Sequence, residues 1–426
     1  MKIALLSKFP PIEGQVSTVN YWLARGLAER GHQVVVVTNA GEAETACRLW
    51  SEEAQEFLDP LRARTDDGRV VVLRTAAFGH SQFHIPWSNP FVTKLTTLTL
   101  QAIRKLDCEL IFTHYLEPYA LAGHMAASWT NALHVVTHSG SDIGRLLKNP
   151  DLGPTYLEII KRATLFVPKN QQAADLTGTS LAGFSVPSPY APPEEYFNPA
   201  ACSLDVNSFL SRAGQYIHHE LKWHTNEFDR SRPTFGIYGK LFDVKGTYDL
   251  LTALAKLRRE GFAFNLLLMT RWRKGEDRLR NSIIEAGLER STWWLPFLPN
   301  WQIPSLIRSC AAVCYLERKW PMPFHTTIVP REVMACGRCL IISEEARRGS
   351  WYVNRLIHGH TCLAVEDPTD VDLLASRLRF VLEDPEAVET IGHNAYLESS
   401  EMSTHDQFVT SWENVFSSSL SIKETE

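Results

Sequence analysis

The sequence lacks any run of about 18 apolar residues, which a helix needs to cross a bilayer, and it has no excess of positive charge. Its net charge is −5, and its hydrophobic and charged fractions of 44% and 21% are typical of a globular protein. We therefore expect neither a membrane-spanning protein nor one that binds DNA or RNA. Because an apolar segment follows Met1 at once, we expect no signal peptide and a cytoplasmic location.

Cysteine is sparse and is not grouped as in a metal site. Of the eight cysteines, the close pairs are Cys310 with Cys314 and Cys336 with Cys339, without partner pairs at zinc spacing. Carboxylates are likewise not spaced as a magnesium clamp. The second cysteine pair has a spacing that also occurs in redox sites, but its apolar flanks favour packed, reduced thiols. We expect no metal and no other cofactor.

A chain of 426 residues is too long for one compact core, so two domains are expected. Both halves alternate strand-like and helix-like segments, which is typical of doubly wound parallel sheets. A proline-rich stretch at 186–199 predicts a semi-rigid connector between them. The predicted division is a first domain at 1–195, a second at 196–403 with an insertion at 200–232, and a C-terminal helix at 404–426 that packs back on the first domain and frays at its end.

Short apolar runs between helix-like segments predict the strands of both sheets. Ser17 is expected to cap the first helix, at 18–30. Ligands of such sheets bind beyond the carboxyl ends of the strands, so the polar loops at 7–16, 114–117 and 138–142 are the candidate site regions. The predicted strands are 2–6, 34–38, 70–73, 110–113, 133–137, 165–167, 234–238, 265–269, 313–316 and 339–342.

The segment from Pro233 to Gly246 predicts a phosphate-binding loop. An apolar strand ends at Gly239, Lys240 and Lys245 follow, and a helix begins after Gly246. Because the first N–H groups of a helix have no partner within it, its start attracts anions. A diphosphate is the expected ligand, and two ordinary solvated lysines are the alternative.

Three segments resemble the retaining, GT4-type glycosyltransferases. The first segment resembles the start of these enzymes and reads MKIALLSKFPPIEGQVSTVNYWLARGLAERGHQVVVVTNA. The second resembles their strand, basic loop and helix and reads FGIYGKLFDVKGTYDLLTALAKL. The third segment, IVPREVMACGRCLIIS, resembles their Glu-x-Met-Ala-Cys-Gly motif. The resemblance implies an α/β protein of GT-B architecture, in which two doubly wound, Rossmann-like domains face each other across a cleft. It also implies metal-independent, retaining transfer of a sugar from a nucleoside-diphosphate sugar to a hydroxyl-bearing acceptor.

The family pattern implies a set of donor-binding residues. Two lysines would bind the diphosphate, a glutamate would bind the ribose hydroxyls, and a glycine and two N–H groups would approach the phosphates. The glutamate, Glu332, lies in the first turn of a helix opened by Pro330, where a carboxylate is also favoured by the helix dipole alone. The implied residues are Gly14, Lys240, Lys245, Thr327, Ile328 and Glu332.

The resemblance also implies residues beside the sugar and the acceptor. His138 stands at the end of a predicted strand, where these enzymes place a histidine next to the donor sugar. Asp142 would orient His138 or bind an acceptor hydroxyl. His114 and Glu117 would line the acceptor side, or else serve as capping or packing residues.

One departure from the family pattern affects the sugar site. The family carries two glutamates eight positions apart, but counting back from Glu332 reaches Phe324. His325 and Glu317 are the two alternatives for the missing contact with the sugar. The donor sugar therefore cannot be named from the pattern.

Two rival functions fit the same fold. The first is a nucleotide-sugar epimerase or a pseudo-glycosyltransferase, and the second is a non-catalytic nucleotide-sugar-binding protein, which the missing glutamate would suit. The acceptor could be a small molecule, a glycan or a lipid-linked molecule. Peripheral membrane contact through the lysines and arginine of the helix at 93–105 stays open.

Overall fold

A computed structural model describes residues 1–10, 12, 14–39, 68–75, 90–181, 185–213, 227–270, 277–295, 297–319 and 327–425. In these ranges no helix is both long enough and apolar enough to cross a membrane.

The first domain is built on a parallel sheet of six strands in the order β3-β2-β1-β4-β5-β6. The order reverses between β1 and β4, which is where ligands bind in open α/β sheets. The strands are β1 (Lys2–Ser7), β2 (Gln33–Thr38), β3 (Arg69–Arg74), β4 (Leu110–His114), β5 (Leu133–Thr137) and β6 (Leu165–Val167). The described helices are α1 (Gln15–Glu29), α2 (Pro90–Leu106), α3 (Leu121–Thr130), α4 (Ser141–Leu146), α5 (Gly153–Arg162) and α6 (Gln171–Thr177).

The second domain repeats this arrangement, with the order β12-β11-β10-β7-β8-β9 and a reversal between β10 and β7. The strands are β7 (Thr234–Tyr238), β8 (Asn265–Met269), β9 (Thr292–Leu295), β10 (Ala312–Tyr315), β11 (Cys339–Ser343) and β12 (Leu363–Val365). The described helices are α7 (Val206–Ala213), α8 (Thr247–Arg259), α9 (Asp277–Glu285), α10 (Ile303–Arg308), α11 (Val329–Ala335), α12 (Glu344–Arg348), α13 (Val371–Glu383) and α14 (Pro385–Ser400).

Two doubly wound parallel sheets confirm the predicted fold class. Central strands such as β4 and β11 are buried along their whole length because helices cover both faces of each sheet. The sequence-based prediction missed β9 and β12, which are edge strands of four and three residues.

The first helix begins earlier than predicted. Helix α1 starts at Gln15, with Gly14 as its N-cap, and Ser17 is a buried residue inside the helix rather than the cap. Gly14 has a φ of +128°, a conformation that L side chains rarely adopt, so glycine lets the chain turn directly into the helix.

The last helix, α15 (His405–Thr425), packs against the first domain. The Arg30 guanidinium donates to Glu413 at 2.7 Å, and the ring centroid of Phe112 lies 5.0 Å from that of Phe416. Phe416 is fully buried. The end of the chain therefore returns from the second domain to the first and ties the two together.

Replacing Phe416 with Ala should lower the free energy of unfolding by about 3 kcal/mol or more, because a buried aromatic ring is lost and a cavity remains. Leu397, which is 48% exposed on α14, is the matched control. Its replacement by Ala should change stability by about 0.5 kcal/mol or less. Urea denaturation measures both, and equal effects would contradict the described packing of α15.

Candidate active site

A cleft of about 760 Å³ lies between the domains, at the carboxyl ends of both sheets. Side chains of both domains line it, together with part of the proline-rich connector. Among the described polar residues of its wall are Gln15, His114, Ser139, Lys169, Glu317 and Thr327.

Lys240 of the second domain reaches the start of helix α1 in the first domain. A Cβ atom built at Gly14 would lie 3.9 Å from the Lys240 Nζ atom. The start of a helix carries a partial positive charge, so two positive groups meet at this point. The position favours an anion, and the phosphate-binding role of the loop stays a prediction.

Lys245 lies deeper in the same loop and forms an ion pair with Glu317, which directly follows Leu316 beyond β10. Burial, and after it the charge of Lys240, lowers the pKa of Lys245 to about 7. The Glu317 carboxylate acts in the opposite direction, since a nearby negative charge favours the ammonium form. Lys245 and Glu317 thus form one charged unit at the base of the donor side.

Gly246 fixes the geometry of this pair. Its φ is +68°, and an added Cβ would lie 2.4 Å from the Cβ atom of Leu316. Helix α8 therefore begins in direct contact with Leu316, and this close approach brings Lys245 beside Glu317.

Glu332 lies below the surface of the cleft. The Tyr238 hydroxyl donates to its carboxylate at 2.7 Å and the Tyr190 hydroxyl at 3.4 Å, and burial raises the pKa of Glu332 to about 7. Among the described residues, Tyr190 lines the cleft and Glu332 does not. This differs from the expectation that the carboxylate faces the cleft, because the two tyrosines cover and bind it. Its ribose contact stays a prediction.

Thr327 and Ile328 line the cleft immediately before helix α11. Their location matches the region in which backbone N–H groups were expected to meet phosphate oxygens. His325, the alternative sugar contact, lies outside the described residues, as does Phe324.

The His138 ring is buried beneath the loop that follows β6. The N–H groups of Gly140 and Lys169 lie 3.1 Å and 3.0 Å from its two ring nitrogens. A neutral imidazole has one acceptor nitrogen, so one of these contacts is a hydrogen bond at a time. Burial lowers the pKa of His138 to about 3, which keeps the ring neutral. The ring is not among the described side chains that line the cleft, and its contact with the donor sugar stays a prediction.

Asp142 binds backbone rather than a substrate or His138. Its carboxylate accepts the N–H groups of Leu116 at 2.8 Å, Ser139 at 2.8 Å and Ile143 at 2.9 Å. These bonds hold the loop after β5 against the segment after β4. Glu117 is also away from the described cleft wall and contacts the hydroxyl of Tyr156.

His114 lines the cleft as predicted, and it has a partner that the sequence did not single out. The Lys169 Nζ atom lies 2.9 Å from His114 Nε2. The available sequence signal was that Lys169 closely follows a predicted strand, as His114 and His138 do.

Family comparisons agree with this geometry. A family model described as "Glycosyl transferases group 1" matches residues 222–398, and one described as "Glycosyl transferase 4-like domain" matches residues 14–181. Together the two matches cover most of both domains. The chain belongs to the group 1 glycosyltransferases. No curated protein sequence matches it.

Solved structures show that this glycosyltransferase has the GT-B fold. Sucrose-phosphate synthase from Thermosynechococcus elongatus is 18% identical, with 99% of each chain covered and a TM-score of 0.67. HepE from Anabaena, solved in complex with UDP and glucose, is 16% identical, with 98% of this chain and 100% of the other covered and a TM-score of 0.64. A glycosyltransferase from Rickettsia africae is 15% identical, with 98% of each chain covered and a TM-score of 0.64.

The Gly246→Ala variant should be destabilised by more than the strain of its backbone. Gly287 is the matched control, because its φ is +66° but an added Cβ would meet nothing within 4 Å. Gly287→Ala should cost about 1 kcal/mol, the usual penalty of the left-handed conformation. Gly246→Ala should cost clearly more in urea denaturation, since it also displaces Leu316. Equal costs would show that the contact with Leu316 is not tight.

Glu332 should make stability depend on pH. Its folded pKa lies above the ordinary value of 4.5, so its contribution is fully present below pH 4.5 and is lost as pH rises through about 7. Between pH 5 and pH 8, the wild type should lose on the order of 3 kcal/mol relative to Glu332→Gln. Other titrating groups cancel in this difference. A difference that stays constant with pH would contradict the buried environment of Glu332.

Proposed function

We propose that this glycosyltransferase moves a sugar from a nucleoside-diphosphate sugar to an acceptor hydroxyl, with retention of configuration and without a metal ion. One observation carries the proposal: the Lys240 ammonium lies at the start of helix α1, 3.9 Å from a Cβ built at Gly14. A diphosphate between them would meet a cation on one side and the positive end of a helix on the other.

The same groups can stabilise the leaving diphosphate. Negative charge builds up on it as the glycosyl bond loosens, and fixed positive groups lower the energy of that state. Lys240 lies at the start of α1, Lys245 pairs with Glu317 of the cleft wall, and Thr327 and Ile328 before α11 would add backbone N–H groups. The start of α1 completes this set from the first domain.

The carboxylates of the described cleft wall fit a retaining reaction that forms no covalent intermediate. Glu317 is paired with Lys245, and Glu345 accepts the backbone N–H of Lys319. Both are therefore engaged by positive or donor groups, which makes them weak nucleophiles. In the proposed reaction the acceptor hydroxyl attacks on the face that the diphosphate leaves.

Glu317 is our choice for the missing sugar contact. It is the residue of the described cleft wall closest to the phosphate-binding lysines that also offers carboxylate oxygens to sugar hydroxyls. Its bond to Lys245 would fix its orientation. In this arrangement one carboxylate both positions a phosphate ligand and contacts the sugar.

The donor site can be tested by nucleotide binding. Lys240→Ala and Lys245→Ala should each weaken UDP binding by about tenfold or more, because each removes a charge-assisted hydrogen bond. Lys256→Ala is the matched control, since Lys256 lies on the helix that follows the loop and pairs with Asp372 away from the cleft. Isothermal titration calorimetry measures the affinities, after a thermal-shift panel of UDP, GDP, ADP and TDP has identified the base. Unchanged affinities in both lysine variants would refute the proposed site.

The reaction can be tested on the sugar itself. NMR of the product formed from the donor that binds should show the anomeric configuration of that donor, with full activity in excess chelator. An inverted anomer would contradict retention, and loss of activity that one divalent ion restores would contradict metal independence. Isomerised donor in the absence of an acceptor would indicate an epimerase instead.

A further inference from the structure

A cation of the first domain, Lys169, lines the cleft. Lys169 follows β6, and its Nζ atom lies 2.9 Å from His114 Nε2. The phosphate-binding groups Lys240 and Lys245 belong to the second domain. Lys169 is therefore a separate positive group, carried by the first domain.

A hydrogen-bond chain fixes the state of its partner. The Asn20 side-chain amide donates through Nδ2 to the carbonyl of Val16 at 2.8 Å and to Ser7 Oγ at 2.6 Å. Its Oδ1 atom is then the group that faces His114 Nδ1, at 3.0 Å. Nδ1 must carry the proton of this bond, so Nε2 presents a lone pair to Lys169.

His114 is held neutral and thus orients Lys169 without cancelling its charge. Burial, followed by the charge of Lys169, lowers the pKa of His114 well below its usual range. The ammonium group has three N–H donors, and the lone pair of His114 accepts one. Donors of Lys169 therefore remain for a ligand in the cleft.

The negative charge that acts on Lys169 belongs to a carboxylate that already accepts other hydrogen bonds. Asp142 raises the pKa of Lys169, but its two oxygens accept three backbone N–H groups. Desolvation by the surrounding protein is the larger effect, and it lowers the pKa of Lys169 to about 8. The Lys169 side chain is nevertheless exposed at the cleft wall, so an ammonium group that a neutral ring orients can donate to an anionic ligand there.

We propose that Lys169 binds an acidic group, a phosphate or a carboxylate, on the acceptor. This inference rests on the proposed function and names the chemical class of its second substrate. The acceptor is the better source than the donor because Lys169 belongs to the first domain, whereas the lysines assigned to the diphosphate belong to the second. Ser139 and Gln172 line the same wall and can bind neutral hydroxyls of the same molecule.

Binding of model anions to the protein saturated with UDP tests the inference. The probes are glucose 6-phosphate and glucuronate, with glucose as the neutral reference, and calorimetry measures their affinities. The wild type should bind at least one acidic probe about tenfold more tightly than glucose, and Lys169→Gln should lose this preference. Lys169→Arg should keep most of it. Lys148→Gln, at an exposed lysine outside the described cleft wall, should behave as the wild type.

Three outcomes would overturn the inference. In the first, the acidic probes bind the wild type no better than glucose does. In the second, the Lys169→Gln variant keeps the preference for acidic probes. In the third, the Lys169→Gln variant binds UDP-glucuronate more weakly relative to UDP-glucose, while its affinity for the free probes is unchanged. The last result would assign the acid to the donor sugar. Affinity for UDP itself should be unchanged in Lys169→Gln. If the wild type bound no nucleoside diphosphate, the proposed function would fail instead, and the two failures are thus distinguishable.

Discussion

Two positive groups that belong to different domains meet at one place in the cleft, and this meeting organises the rest of the site. Lys240 approaches the start of α1, although like charges repel when nothing lies between them. The effect is already visible within the second domain, where Lys240 contributes to the lowered pKa of Lys245. An anion between the groups would remove the repulsion and hold the two domains together at this point. In the proposed site, a diphosphate would therefore be both a ligand and a link between the two halves.

Polar residues at the carboxyl ends of the strands divide into two layers. The lower layer holds the loops in place: His138 and Asp142 bind backbone N–H groups, and Glu332 binds two tyrosine hydroxyls. The upper layer faces the cleft and includes Lys169 and Glu317. Buried polar groups need partners, so the lower layer is satisfied by the protein itself. The upper layer has donors and acceptors to offer to substrates.

The sequence predicts the architecture well and the orientation of side chains poorly. All strands of the first sheet are visible as apolar runs, and glycines and lysines mark the loop before α8. The ends of the predicted strands show where His138 and Lys169 lie in the chain. They do not show which of the two side chains reaches the surface of the cleft. That depends on contacts across strands, such as the bond from Lys169 back to His114 at the end of β4. The pairing of Lys245 with Glu317 is equally hidden, because it arises from the packing of Gly246 on Leu316.

The central claim is that the diphosphate of a nucleotide binds where Lys240 meets the start of α1. A crystal structure of the full chain with UDP tests it most directly. The account predicts phosphate oxygens within hydrogen-bonding distance of Lys240 Nζ and close to the backbone at Gly14, with Lys245 and Glu317 beside them. A diphosphate bound elsewhere, with neither Lys240 nor the start of α1 in contact with it, would contradict the account.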